Sequence, residues 1–208
     1  MTRTGSPVTP SGAARPPGRL RTVWAAAHAP VAGVPRWVRT AAYAIPLTVL
    51  PSSLWRVLVG FFDEDTAGKT GDLPSWLPAE VYAILLSVLS EVLAFTAVGL
   101  IAAWGEVFPR WVPLLRGRRV PTAVAVVPAA LGAVVLTALC TAACVADAAG
   151  VTLRGEPLPS DNPTAAGGWE TVVFYVCYAP LLLWGPLLGA VTVAYARRRR
   201  HVPATVPG

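Results

Sequence analysis

The sequence is short of charge. Only 13% of its 208 residues are Asp, Glu, Lys or Arg, about half of the roughly 25% typical of a soluble domain. A chain so poor in charge, with a mean hydropathy of +0.56, meets a solvent that is partly lipid. Cysteine is scarce and odd in number: Cys140, Cys144 and Cys177 exclude a complete disulfide framework, and all three lie in apolar stretches. Histidine is nearly absent, His28 and His201 falling in the tails, and no His/Glu metal cluster, glycine-rich phosphate loop or Ser-x-x-Lys arrangement is present. No cofactor and no metal are therefore expected. Asn162 is followed by Pro163, which removes a glycosylation signal. The two halves carry no internal repeat of the kind many transporters show.

What the chain does have is apolar length. Hydrophobic residues make up 54%, gathered in four runs at about 38–61, 79–104, 121–146 and 169–195. A helix needs about 20 apolar residues to cross the hydrocarbon core. The fold expected is all-α, a polytopic bundle of four transmembrane helices over residues 36–196. Residues 1–35, rich in Pro, Gly, Ser and Arg, read as a disordered tail; 197–208 form a basic tail. A signal peptide is the alternative for the N-terminus, but the apolar run begins too far in and no cleavage pattern follows it closely. Pro46 and Pro51 predict a kink in the first span.

Charge sets the expected orientation. Arg3, Arg15, Arg19, Arg21, Arg36 and Arg39 precede or open the first span without an acid among them. The middle loop carries Arg110, Arg116, Arg118 and Arg119 against Glu106, and the last span ends on Arg197, Arg198, Arg199 and Arg200. The other two loops are net acidic. By the positive-inside rule both termini face the cytoplasm. The net charge of +6 is thus topology and contact with anionic lipid, not a nucleic-acid surface. Trp37, Trp76, Trp104, Trp111 and Trp169 fall near span ends, as an aromatic belt requires. The middle loop, Trp104 to Arg119, alternates apolar residues with Arg and suits the headgroup layer; docking of a cytoplasmic partner is the alternative.

For packing, the third span has small residues every fourth place: Ala125, Ala129, Ala133, Thr137 and Thr141. Such rows let backbones approach where water is absent, so this helix is expected at the centre of the bundle. Gly185 and Gly189 in the fourth span repeat the pattern, facing either the third span or a second copy.

For chemistry, Glu91 stands out. It lies eleven positions after Glu80, so about 16 Å into the membrane at about 1.5 Å per residue. Glu80, Ser87 and Ala94 share its helix face. Intramembrane acids mark functional sites by default. Arg56 is the partner expected, with reach favouring Glu80 over Glu91, or it snorkels to the surface. Glu91 then either handles a proton or cation, anchors a ligand, or locks helices together. Cys140 and Cys144 share a face, with Cys177 at similar depth, but their spacing is not Cys-x-x-Cys; small apolar packing accounts for them, and they are the sole lead to an enzyme.

The stretch Trp104–Pro121 and the run Tyr178-Ala-Pro-Leu-Leu-Leu-Trp-Gly-Pro-Leu-Leu-Gly189 with its Arg tail resemble segments of small uncharacterised actinobacterial multi-pass integral membrane proteins. The resemblance implies a bacterial plasma membrane and brings no activity or site residues. The expected function is that of a structural or accessory membrane subunit acting through helix packing, in a homo-oligomer or a larger complex. The alternative is a small transporter or ion-coupled protein centred on Glu91.

Overall fold

The computed structural model describes residues 33–62, 77–102, 105, 120–160 and 162–201. The N-terminal tail up to residue 32, the loop at 106–119, Trp76, Trp104, Trp111 and the end of the C-terminal tail lie outside the described residues. The described chain is all-helical. Its elements are α1 (Arg36–Phe62), α2 (Ala79–Gly99), α3 (Thr122–Ala148), the single turn α4 (Pro163–Ala166), α5 (Gly168–Tyr178), a 3-10 segment (Ala179–Leu183) and α6 (Trp184–His201). Four stretches are long and apolar enough to cross a membrane: Arg36–Gly60, Glu80–Gly99, Thr122–Ala148 and Gly168–Arg200. The spans read from hydropathy are therefore present, with shifted ends.

Prolines set several of those ends. Pro78 and Pro121 stand just before α2 and α3 in extended conformation, with ψ of 144° and 137°. A proline there forfeits no helical donor. Inside the fourth stretch two prolines bracket the 3-10 segment. Pro180 has no N–H and its ring opposes the carbonyl four residues back, so the α-ladder stops at Tyr178. Pro186 falls in the first turn of α6, where its N–H has no intrahelical partner to lose. The expected single fourth span is thus a broken helix. Helix α1, by contrast, runs through both Pro46 and Pro51. At the close of α2, Leu100 and Ile101 donate to the carbonyls of Ala97 and Val98 at 3.1 Å, tightening the last turn.

The four stretches alternate in direction. One end of the bundle, here the near end, holds Arg36, Gly99, Thr122 and His201. The far end holds Phe62, Ala79 and the connection from α3 to α5. That connection is a folded loop with a β-bridge between Val151 and Pro157. Gly167 and Gly168, with φ of 73° and 81°, turn the chain between α4 and α5 in a conformation other residues resist.

The core lies between α1, α2 and α6. Val38, Ala42, Ile45 and Val49 form one stripe of α1, spaced at three and four residues. Ala94, Ala97 and Val98 face them from α2, Ile101 from just after it, and Trp184, Val191 and Tyr195 from α6. Helix α1 is the hub: it packs on α2, α5, the 3-10 segment and α6. Helix α3 was expected at the centre and is instead at the edge, packed on α6 and, less, on the 3-10 segment. Only 6% of its span is buried, against 33% for α1. The physical reason is that small residues permit approach without demanding it; in lipid an apolar face gains nothing by being turned inward. A single strip of α3 is used. Gly185 sits against Ala133 and Thr137, and Gly189 against Ala133.

Candidate functional site

The α1–α2 seam carries the polar residues singled out above. The helices are antiparallel, and their register is read from two contacts. Gly60 lies beside Ala83 and the Glu80 backbone, and Ser53 lies beside Ser87, whose hydroxyl donates to the Ser53 carbonyl at 3.3 Å. Arg56 stands between these levels. Its Nε donates to Ser87 Oγ at 3.4 Å and its Nη2 to Ser53 Oγ at 3.3 Å. Both bonds are long. The Tyr178 hydroxyl, from the end of α5, lies beside the same guanidinium.

The expected pair of Arg56 with Glu80 or Glu91 does not form. Side chains on a helix lean toward its N-terminus. Arg56 therefore leans back along α1 toward Ser53, while Glu80 leans the opposite way in space along antiparallel α2. The two charges point apart although their helices touch. Ser87 is buried and takes the guanidinium that Glu80 was expected to hold. Glu91 is half-buried, and its Oε1 is shut from solvent with no hydrogen-bond partner among the described residues. Ser53 was missed in the sequence, although its position one turn before Arg56 could have flagged it. Tyr178 carried no signal, since only the break at Pro180 brings the end of α5 to α1.

At the far end lies a cavity of about 360 Å³, within the usual range for small-molecule sites. One wall is the last turns of α3, with Cys140, Ala143, Cys144 and Asp147. The 151–162 loop forms a second, with Val151, Leu158 and Asn162. The third is Phe174, Tyr175 and Tyr178 of α5 with Leu181 and Leu182 of the 3-10 segment. Phe174 stacks on Tyr178, centroids 4.4 Å apart, and meets Tyr175 edge-on at 5.9 Å. Tyr175 donates its hydroxyl proton to Asp147 Oδ2 at 2.6 Å, joining α3 to α5. The three thiols are free; Cys140 and Cys144 line the cavity and Cys177 does not. Among the described residues no three His, Cys, Asp or Glu come together to hold a metal.

The near end is closed by arginines. Arg199 Nη2 donates to the Val120 carbonyl at 2.6 Å, and Arg198 Nη2 reaches the Leu100 carbonyl at 3.5 Å. Both guanidinium groups stand over the ring of buried Tyr195, at 5.8 and 5.4 Å. Arg198 here meets an open carbonyl at the end of α2, which carries negative partial charge, while Arg199 bonds a carbonyl just before α3. Part of the terminal basic run thus ties helix ends together.

No family model, no curated protein and no solved structure matches the chain. The fold and its sites therefore rest on the chain's own residues.

Proposed function

We propose that this protein is a non-catalytic accessory subunit of a bacterial plasma membrane, with both termini in the cytoplasm, acting through helix packing. The observation that carries the reading is an open sector in the bundle. Among the described residues, helices α2 and α3 touch at most slightly; between them runs a crevice of about 420 Å³ whose lining includes Thr96, Ala97, Ala125, Ala129, Gly132 and Trp184. Six of the fourteen residues that line it are Ala or Gly, the residues that let a further helix come close in lipid. The polar groups of the seam support the same reading, because Arg56 is spent on Ser53, Ser87 and Tyr178. The charge asymmetry of the segments supports the orientation, and anionic lipid suits the basic near end.

The test is purification in mild detergent with mass measurement of the assembly. The expected result is a defined particle larger than one chain, reduced to the single chain by Gly132→Leu, which fills the crevice, with helical content unchanged. A wild-type protein that runs as one chain would sink the reading. Orientation is checked in a cysteine-free background with Leu153→Cys, which is exposed in the far-end loop; an impermeant thiol reagent should label it in intact cells.

A second reading is favoured by one observation, the unpartnered Oε1 of Glu91. In an ion-coupled protein that oxygen would meet a proton or cation. Glu91→Gln would then abolish ion-driven uptake in reconstituted vesicles while leaving the assembly intact.

A further inference from the structure

The far-end cavity has a chemistry of its own. Its walls are mostly aliphatic and aromatic, with Thr152, Asn162 and Thr164 as neutral polar groups, and one carboxylate, Asp147, stands among them. One oxygen of that carboxylate is engaged by the Tyr175 hydroxyl. The other has no hydrogen-bond partner among the described residues. Asp147 lies in the last turn of α3, where the apolar span ends, whereas Cys140, Leu181 and Leu182 line the deeper part. The cavity is therefore polarised, with negative charge at its mouth and an apolar body below. The rings of Phe174, Tyr175 and Tyr178 line it, Phe174 and Tyr178 stacked on each other, and aromatic rings attract cations. Arg154, bonded through its backbone N–H to Thr152, and Arg56, which touches Tyr178, are opposing charges near the cavity; neither is part of the wall, and the Arg56 guanidinium is turned to Ser53 and Ser87.

We propose that this cavity binds a lipophilic organic cation, its charged centre at Asp147 and its apolar substituents against Leu181, Leu182 and Phe174. A neutral apolar molecule would leave the carboxylate unpaired, and an anion would face it directly; an amphipathic cation satisfies both parts of the site. The proposal stands independently of the accessory reading, since the cavity lies between the last turns of α3, the 3-10 segment and Tyr175 of α5 and shares no lining residue with the crevice toward α2.

The test is binding to the purified full-length protein in detergent, measured by equilibrium dialysis against protein-free micelles. The probes are tetraphenylphosphonium and tetraphenylborate, which share a shape and differ in charge sign. Saturable binding of the phosphonium and none of the borate is expected. Asp147→Asn should weaken phosphonium binding at least tenfold. Ala143→Phe, at an exposed position on the cavity wall, should abolish it by filling the space with the charge intact. Tyr175→Phe, which leaves the carboxylate in place, should bind as the wild type or tighter and so guards against misfolding at the α3–α5 link. Equal binding of both probes, or Asp147→Asn and Ala143→Phe proteins that both bind as the wild type, would overturn the proposal.

Discussion

Gly185 is seated directly on the backbone of Thr137. A methyl group added at Gly185 would stand 2.8 Å from the Thr137 nitrogen and 3.0 Å from the Ala133 carbonyl oxygen. It would also collide with the Thr137 hydroxyl, which itself donates to the Ala133 carbonyl at 2.7 Å. Backbone cannot move aside as a flexible side chain can. Gly185→Ala is expected to destabilise the α3–α6 pair by about 1–3 kcal/mol, the usual cost of overpacking. Gly189→Ala, with 3.7 Å to Ala133, should stay within about 0.5 kcal/mol of wild type. Reversible unfolding in mixed micelles separates the two; equal effects would rule out this seating of α6 on α3.

Arg56 and Ser87 should be coupled. Arg56→Met, Ser87→Ala and the double variant form a cycle whose interaction energy is expected near 0.6 kcal/mol, typical of polar contacts between membrane helices. Glu80→Gln paired with Arg56→Met should give none, because those side chains lean apart. A coupling carried by Glu80 and absent from Ser87 would reverse the assignment.

Glu91 holds a buried acceptor without a partner. Replacing the carboxyl group with a similar apolar volume, Glu91→Leu, is expected to stabilise the folded protein by about 1 kcal/mol. The same unfolding measurement checks this; clear destabilisation would mean that the carboxylate is holding the seam together.

Arg199 closes the near end. Arg199→Ala removes its bond to the Val120 carbonyl and should cost about 1 kcal/mol. The loss should show as faster amide exchange in the first turn of α3, with the far end unaffected. Exchange unchanged there would leave this arginine to the lipid surface alone.

The seam was half legible beforehand. Glu91 and Ser87 were visible as polar residues on one face of an apolar helix, and Arg56 as the nearest cation. Their pairing was not, because it depends on the direction in which each side chain leaves its helix. The cavity was less legible still. Asp147 and Cys140 lie on α3 and Tyr175 on α5, and nothing local relates the two helices.

By itself the sequence determined that the chain forms four helical stretches long and apolar enough to cross a membrane, and where those stretches fall. The reason is energetic: unpaired backbone groups are too costly in hydrocarbon, so every apolar run of sufficient length must be helical. Only the tertiary structure decided the order of the helices around the bundle. Between helices in lipid the discriminating forces are close packing and a few hydrogen bonds, and an alanine row reads the same whether it faces a neighbour or an acyl chain. That is why α3, with the longest small-residue rows, lies at the edge, and α1, with two prolines, at the centre. It is also why Arg56 meets Ser87 across an antiparallel seam and leaves both glutamates unpaired by it.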